Sequence, residues 1–458
     1  MAENHVKNPI PAQAVGKKRS RGHTGLVMAI LSLLTGAVVI SLTGCALVKL
    51  PNVPLKIAET DVKPAVLGPL QGTPQIRTPE AWWQDRRPLL IRLFAQNIYG
   101  RQPSFGAAHI VEHHVTMQTA FHGLGSVEEI LVSLGDGADA PRFHLALVLP
   151  NKVSGKVPLI IMENFCGNRA ALHGLPTPPA PHSPVPSLCT NPWARPLTEL
   201  IFGRDINAPP FELILRRGYG VALFHAGDVV ADIPAQAIAQ LNRFDPGGDP
   251  KQRSSAVGAW AQLYSKALDV LAPDPRIEPS KIILWGHSRN GKAALLAAGL
   301  DLRVAGVIAL QPGIAGSSLE QNRLGETIAQ VTTTYPHWFS PAYADFAGRE
   351  AELPVDQHQL LALIAPRPVM LGIARRDSWS DPQGTFLAAR AASPAYELLG
   401  APGLQQNRMQ DFNFRGGLSV WLRGGLHGVH RSDWIESLAF LDYWFGPDAA
   451  AAASGRTH

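Results

Sequence analysis

The chain has 458 residues, of which 46% are hydrophobic and 17% charged, enough to bury a large globular core. The formal net charge of +5 is concentrated at one end, because residues 1–44 hold five basic residues and one acid. The remainder has 36 basic residues (41 less 5) and 35 acidic residues (36 less 1), a net charge of +1. This balance excludes an extended basic nucleic-acid-binding surface, and no nucleic-acid partner is predicted.

The first 45 residues have the pattern of a lipoprotein-type signal peptide. A basic segment, Lys17–Arg21, precedes an apolar stretch from Leu26 to Leu42, and Leu42-Thr-Gly-Cys45 resembles a bacterial lipobox. Lipidation of Cys45 would make it the mature N-terminus and anchor the protein to a membrane, facing the periplasm or the cell surface. The alternative is an uncleaved signal anchor, because this mainly apolar stretch of 17 residues is near the lower limit for spanning a bilayer.

Residues 80–446 are predicted to form one large domain, after a tether and N-terminal extension (46–79) and before an alanine-rich disordered tail (447–458). Glu80–Asn97 has the apolar periodicity of a helix, and Pro88 predicts a break or a kink within it.

Beyond this helix, short apolar runs alternate with helical patterns. The predicted core strands are Phe143–Pro150, Pro158–Met162, Tyr219–His225, Ile282–Leu284, Ala305–Leu310 and Pro368–Ala374, and the predicted helices include Ala256–Leu271 and Trp434–Phe445. This alternation predicts the α/β class: a mostly parallel central sheet with helices on both faces, a three-layer sandwich. Two insertions rich in proline and glycine, Leu172–Asp205 and Asp228–Arg253, are expected to line a cleft.

The chain has three cysteines, Cys45, Cys166 and Cys189. Lipidation of Cys45 would leave a pair whose disulfide closes a loop of about 24 residues and contributes about 3 kcal/mol. The alternative is two independent buried thiols. Cys-x-x-Cys spacing is absent and no His/Cys cluster occurs, so no metal is predicted.

The strongest chemical signal is the segment Lys281–Leu295. An apolar run ends at Gly286-His-Ser288, and a helical pattern rich in alanine and leucine follows at once. An α/β-hydrolase presents its nucleophilic serine on such a strand-to-helix turn, where the helix N-terminus stabilises an oxyanion. In the usual pattern Gly-x-Ser-x-Gly, Asn290 would occupy the second glycine position, and Gly291 comes one residue later. An ordinary turn is the alternative.

An acid and a histidine follow the serine in the order that this fold requires. Asp377 comes just after the predicted strand Pro368–Ala374, and His427 lies in a glycine-rich loop before the last helix. Ser288 would attack an ester carbonyl, His427 would accept its proton, and Asp377 would orient the imidazole.

Both partners of the serine have competitors. Asp377 can instead be a helix N-cap, a position for which Ser378 and Asp381 also compete. The competitor of His427 is His430, three residues further along the chain.

These segments resemble the glucuronoyl esterases, carbohydrate esterase family 15, particularly the bacterial members. The resemblance covers roughly Trp82–Phe445 and is strongest from Ser288 onward. The matching stretches occur in the family's order and are Gly286–Lys292, Tyr335–Phe339, Leu353–Pro368, Asp377–Pro382 and the spacing from His427 to Asp433-Trp434. The late glycine of the serine motif is normal for this family.

The resemblance implies an α/β-hydrolase fold and a serine carboxylester hydrolase that works as a monomer without a cofactor. Its activity would be similar to that of a 4-O-methyl-glucuronoyl methylesterase, cleaving glucuronate esters between glucuronoxylan and lignin through an acyl-enzyme. Its partner would be a glucuronate-containing polysaccharide or its esters. The alternatives are a carbohydrate acetyl esterase on the same fold and a catalytically inactive, polysaccharide-binding lipoprotein.

The resemblance also implies roles for four further residues. Arg289 would hold the oxyanion through its backbone N–H and guanidinium, and Lys292 would reach a sugar hydroxyl. Glu326 and Trp379 match positions that contact the glucuronate ring. The alternatives are that Arg289 and Lys292 solvate the helix start, that Trp379 only packs, and that Glu326 faces solvent.

The chain departs from the family pattern at one position of the triad. Many members carry the acid as a glutamate after the strand that follows the nucleophile helix, where this chain has Gln311, and some bacterial members use the position of Asp377 instead. The neighbouring stretch Gly313–Ser318 also differs from the family pattern. A second oxyanion donor is expected from a backbone N–H near Cys166 or Gly167.

Overall fold

The computed structural model describes residues 52–55, 62–175, 189, 199, 201–321 and 324–446, and those from Asn52 onward belong to one compact unit. The predicted signal peptide (1–45) and the predicted tail (447–458) lie outside the described residues. Within the described ranges, no helix combines the length and the apolar character that crossing a bilayer requires.

A nine-stranded sheet runs through the described part of the chain, in the order β1-β2-β3-β5-β4-β6-β7-β8-β9. The strands are β1 (Ala108–Thr119), β2 (Gly125–Leu134), β3 (Arg142–Pro150), β4 (Val157–Glu163), β5 (Gly220–Phe224), β6 (Ile277–His287), β7 (Gly306–Leu310), β8 (Val369–Ala374) and β9 (Leu418–Arg423). β1 pairs antiparallel with β2, β2 with β3, and β3 with β5. The remaining pairs, from β5 through β4, β6, β7 and β8 to β9, are parallel. The predicted mostly parallel sheet is confirmed.

Helices surround this sheet. They are α1 (Pro79–Ala81), α2 (Arg87–Phe94), α3 (Asn168–Ala171), α4 (Phe211–Arg216), α5 (Pro234–Phe244), α6 (Ala256–Leu271), α7 (Arg289–Leu300), α8 (Ile328–Thr334), α9 (Pro341–Ala344), α10 (Gln357–Ala362), α11 (Pro382–Leu398) and α12 (Arg431–Phe445). Two π turns, Trp82–Arg86 and Ala95–Tyr99, flank α2, and Ala120–Gly123 turns the chain from β1 into β2.

Successive residues of each central strand point to opposite faces of the sheet. In β6, Ile282 and Leu284 join one apolar cluster, which includes α6, α7 and α11, and Ile283 and Trp285 join a second cluster with α12. Trp285 stacks on Trp434 of α12 with the ring centroids 5.0 Å apart. Because both faces are covered, the central strands are continuous apolar runs, and the predicted three-layer arrangement is confirmed.

The helix predicted over Glu80–Asn97 is present as α1, α2 and the two π turns. Pro88 is the second residue of α2 and comes just after the π turn Trp82–Arg86, so the residue that lacks an N–H lies where the helix changes geometry. The break expected at Pro88 takes the form of a change between π and α geometry.

The sequence does not predict β9, nor β1 and β2, the strands at the antiparallel edge. Most side chains of β1 are exposed, and His and Glu residues interrupt its apolar positions, so the strand lacks a clear alternation. In β2, Glu128 is buried and accepts a hydrogen bond from Arg276 Nη2 at 2.9 Å. A buried carboxylate whose partner lies far along the chain leaves no local pattern.

Arg86 fastens the described part of the predicted N-terminal extension to the domain. Its buried guanidinium donates hydrogen bonds to the carbonyl oxygens of Val66 (2.8 Å), Gly68 (2.6 Å) and Pro74 (3.4 Å). Val66 and Ile76 are buried in the same apolar cluster as α2. This part of the extension therefore packs against the core.

We expect Arg86→Met to lower the free energy of unfolding by about 2–4 kcal/mol, because several buried carbonyl oxygens lose a charged donor. Urea unfolding of the wild type and the variant measures the difference. Arg92→Met, at an exposed position of the adjoining helix α2, is the matched control and should change stability by less than about 0.5 kcal/mol. Equal stability of the two variants would show that the hydrogen bonds of Arg86 do not hold the extension to the domain.

Candidate active site

Ser288 lies at the sharp turn between β6 and α7. Its φ of 55° and ψ of −128° form a conformation that residues other than glycine rarely adopt. The chain passes so close to itself that a Cβ on Gly286 would overlap the carbonyl of Asn290, and a Cβ on Gly291 would lie 3.2 Å from the Gly286 oxygen. Gly291 therefore provides the second close approach, although it comes one residue later than in Gly-x-Ser-x-Gly.

Asp377 and His427 are in direct contact. His427 Nδ1 lies 2.8 Å from Asp377 Oδ2, and the N–H of Ser380 donates to Asp377 Oδ1 at 3.3 Å. Burial opposes ionisation of Asp377, but the charge of His427 and the hydrogen bonds from His427 and Ser380 hold its pKa below the usual range. Asp377 is therefore a carboxylate at neutral pH and orients the imidazole through Nδ1.

The competing residues have other roles. Asp381, rather than Asp377, is the N-cap of α11, and its side chain accepts the backbone N–H three residues further on at 2.9 Å. His430 is the N-cap residue of α12. Neither lines the pocket into which Asp377 and His427 are placed.

The pocket has a volume of about 350 Å³ and lies at the C-terminal edge of the parallel strands, where the functional groups of such sheets gather. Its lining residues are Ser288, Lys292, Gln311, Pro312, Gly313, Glu326, Tyr335, Trp338, Asp377, Trp379, Ser380 and His427. The structure thus brings together six of the seven residues predicted for catalysis and substrate binding. The seventh, Arg289, follows Ser288 but does not line the pocket.

The three predicted substrate-binding residues differ in their surroundings. Lys292 is buried, and its Nζ donates to the backbone carbonyls of Pro312, at 2.6 Å, and Ile314. Glu326 is also buried, and its backbone N–H donates to the carbonyl of Trp379 at 3.0 Å. Trp379 is 53% exposed at the pocket. Lys292 and Glu326 therefore do not face bulk solvent, and Trp379 is not a core-packing residue.

The side chain of Gln311 contacts the backbone of the loop that carries His427. It follows β7 with a φ of 50°, and its Oε1 accepts the N–H of Gly428 at 2.8 Å and lies 2.9 Å from His287 Nε2. Burial, followed by the charge of His427, lowers the pKa of His287 well below its usual value, so His287 is neutral at neutral pH. Gln311 thus supports the loop that carries His427, and the carboxylate bonded to His427 belongs to Asp377.

Sequence reasoning missed several side chains that shape the site. Ser380 Oγ lies 3.1 Å from His427 Nδ1, and buried Arg423 donates to the carbonyls of the two residues that flank His427, at 2.6 and 2.8 Å. Tyr335 and Trp338 stack on the pocket wall with centroids 3.8 Å apart. The available signal for Tyr335 and Trp338 was the family-like stretch that contains them. Arg423 had none.

Cys166 and Cys189 form a disulfide, with their Cα atoms 5.3 Å apart. Cys166 belongs to the loop after β4, where the second oxyanion donor is expected. Arg289 borders the same loop, because its guanidinium carbon lies 4.6 Å from the centre of the Phe165 ring. Among the residues that the structure describes, no group of His, Cys, Asp and Glu side chains is arranged to hold a metal ion.

We expect Gln311→Met to lower the free energy of unfolding by about 1–3 kcal/mol, because it leaves the buried N–H of Gly428 and the ring of His287 without their acceptor. Thermal and urea unfolding measure the loss. The matched control is Gln321→Met, whose side-chain amide makes a single exposed hydrogen bond, to the Lys63 carbonyl, in the described structure. A Gln311→Met variant as stable as the control would show that this support is dispensable.

Comparison with known proteins gives consistent relatives. A family model described as glucuronyl esterase of fungi matches residues 212–400. Carbohydrate esterase MZ0003, from an unknown prokaryotic organism, is 31% identical over 384 residues, which cover 81% of this chain and 86% of that protein. A promiscuous CE15 esterase from a marine bacterial metagenome has a TM-score of 0.73 at 30% identity and covers 85% of this chain and 98% of its own. A glucuronoyl esterase from Solibacter usitatus has the same TM-score at 28% identity, with coverages of 86% and 100%.

Proposed function

Since the chain belongs to carbohydrate esterase family 15, the glucuronoyl esterases, we propose that Ser288, His427 and Asp377 are the catalytic residues of a glucuronate ester hydrolase. The observation that carries the assignment is the 2.8 Å contact between His427 Nδ1 and Asp377 Oδ2 in the pocket that also holds Ser288. The substrate class is that of 4-O-methyl-glucuronoyl methylesterases: esters that join glucuronoxylan side chains to lignin alcohols.

The reaction proceeds in two steps through an acyl-enzyme. Ser288 Oγ attacks the ester carbonyl while His427 Nε2 takes its proton, and His427 then returns that proton to the departing alcohol. Asp377 holds the imidazole by Nδ1 and stabilises the imidazolium in both steps. Water, deprotonated by His427, attacks the acyl carbonyl, and His427 returns the proton to Ser288 Oγ as the glucuronate is released.

The negative charge that develops on the carbonyl oxygen needs preorganised donors. The backbone N–H of Arg289, at the start of α7, is one donor, and a backbone N–H near Cys166 or Gly167 is the second. The guanidinium of Arg289 adds positive charge at the same end of the helix. This favours the tetrahedral intermediate over the neutral ester, as transition-state stabilisation requires.

The pocket also suits a uronate ring. Buried Lys292 and Glu326 present a cation and a carboxylate, which bind sugar hydroxyls as donor and acceptor. Exposed Trp379 and the stacked pair of Tyr335 and Trp338 provide aromatic surfaces for the sugar or the departing alcohol. Removal of an acetyl group needs none of this, so the lining favours glucuronate esters over acetylated sugars.

An inactive polysaccharide-binding protein is the remaining alternative, and the sequence suggested it because Gln311 stands at the usual acid position. An ionised Asp377 in contact with His427 removes that objection, since the imidazole has its carboxylate. A pure binding protein has no need of a buried acid–histidine pair beside a strained serine.

The wild type is expected to hydrolyse benzyl glucuronate and to be far slower on acetylated xylan and p-nitrophenyl acetate. Ser288→Ala should reduce the rate to background, because no other nucleophile is available at that turn. Asp377→Asn should lower kcat by about 10³- to 10⁴-fold, since an amide neither fixes the imidazole tautomer nor stabilises the imidazolium. Steady-state kinetics on the three substrates measure these effects.

Asp411→Asn is the matched control, because it neutralises an exposed aspartate paired with Arg408, outside the pocket, and should leave kcat unchanged. Turnover of acetyl esters alone would keep the serine but contradict the glucuronate assignment. A folded wild type without activity on any ester would contradict the enzyme and favour the binding protein.

We also propose that the protein is an exported lipoprotein of the bacterial cell envelope, anchored through Cys45. The support is the order of basic segment, apolar stretch and lipobox-like Leu42-Thr-Gly-Cys45. Two or more acyl chains on a terminal cysteine hold a protein durably on a membrane.

Mass spectrometry of the membrane-associated protein should therefore find a mature N-terminus at Cys45 that carries a diacylglycerol thioether. Cys45→Ala should abolish this processing. An unprocessed wild-type chain that stays in the membrane would instead support the signal anchor.

A further inference from the structure

Asp232 is an acidic residue of the Asp228–Arg253 insertion whose carboxylate faces three donors. His337 Nε2 lies 2.9 Å from Oδ1, Trp338 Nε1 donates to the same oxygen at 2.7 Å, and Arg289 Nε lies 3.0 Å from Oδ2. These donors come from the pocket wall and from the first residue of the nucleophile helix. One side chain therefore joins two parts of the site that the sequence keeps about 50 residues apart.

The guanidinium of Arg289 is confined on its other sides by aromatic rings. Its central carbon lies 4.6 Å from the centre of the Phe165 ring and 5.9 Å from that of Trp260. A guanidinium is planar and has five N–H donors, and Asp232 engages the Nε edge. The rings and the carboxylate together fix the plane and the position of the guanidinium.

Asp232 is also the counter-charge of this arginine. Burial opposes ionisation of Asp232, but the hydrogen bond from His337 and the charge of Arg289 hold its pKa below the usual range. The other nearby carboxyl group, Glu163 at the end of β4, is fully buried, and this burial raises its pKa to about 8. At neutral pH Glu163 is therefore largely protonated, and Asp232 carries the negative charge that faces Arg289.

The carboxylate also reaches the substrate pocket. Trp338 lines the pocket and stacks on Tyr335 with an interplanar angle of 5°. Its indole N–H donates to Asp232, and this hydrogen bond fixes the orientation of the ring. Asp232 therefore sets the positions of both the aromatic wall, where a sugar would lie, and the Arg289 guanidinium.

We propose that Asp232 is a positioning residue of the esterase: it orients the Arg289 guanidinium toward the developing oxyanion and fixes the Trp338 wall relative to it. The inference rests on the proposed function, in which Arg289 stabilises the oxyanion. Asp232 does not touch the reacting atoms and acts through Arg289 and Trp338.

The test is a double-mutant cycle in kcat on benzyl glucuronate with Asp232→Asn, Arg289→Lys and the combined variant. Asp232→Asn should lower kcat by roughly 10- to 100-fold, below the 10²- to 10³-fold loss caused by removing an oxyanion donor itself. Loss of the Trp338 contact should appear separately, as a rise in KM. Because the effect of Asp232 on kcat runs through Arg289, the kcat of the combined variant should be no lower than that of Arg289→Lys by more than about 3-fold.

Asp245→Asn is the matched control. Asp245 lies in the same insertion and pairs with Arg101, whose Nη2 lies 2.8 Å away, so the variant should leave kcat unchanged even where it lowers the unfolding temperature. Asp232→Glu keeps the charge and should recover part of kcat, and it serves as the second variant if Asp232→Asn does not fold.

The outcomes separate this inference from the proposed function. Two results would overturn the role of Asp232. One is a folded Asp232→Asn variant with the kcat of the wild type, and the other is a combined variant whose loss of kcat equals the product of the two single losses. In either case Ser288→Ala would still abolish activity. Failure of the proposed function would appear earlier, as a wild type without glucuronate ester hydrolysis.

Discussion

The structure depends on one backbone constraint, the positive φ at Ser288. A strand can pass into a helix within a single residue only if the chain nearly touches itself, and Gly286 and Gly291 permit that contact. The turn raises the serine above the sheet edge and points the first N–H groups of α7 toward the same place. The remaining groups of the site are useful only because they meet at this fixed point.

Two carboxylates near the turn each face a different basic side chain. Asp377 contacts His427, which gains positive charge in the proposed reaction, and Asp232 faces Arg289, whose charge is permanent. Both stay ionised although burial opposes it, because each has a cationic or hydrogen-bonding partner. Glu163 shows the contrast, since its burial outweighs the attraction of Arg289 and its pKa rises to about 8.

The sequence was sufficient for the parts of the protein that have a local pattern. The central strands are continuous apolar runs, and the serine, acid and histidine follow strand ends in a fixed order, so the sheet and the placement of Ser288, Asp377 and His427 could be predicted. The strands β1 and β2 could not. Most side chains of β1 are exposed and show no clear alternation, and the buried Glu128 of β2 is satisfied by Arg276, far along the chain. Asp232 could not be recognised either, because its three donors lie far from it along the chain and meet it only in the folded protein.

The pairing of β7 with β8 has a consequence for the position of His427. Gln311 and Asp377 follow neighbouring parallel strands, and the N–H of Gln311 donates to the carbonyl of Gly372 at 2.7 Å. Asp377 contacts the imidazole of His427, and Gln311 accepts the N–H of Gly428, the next residue of the same loop. Two adjacent strand ends thus hold one loop, and a displacement of either end would move the imidazole relative to Ser288.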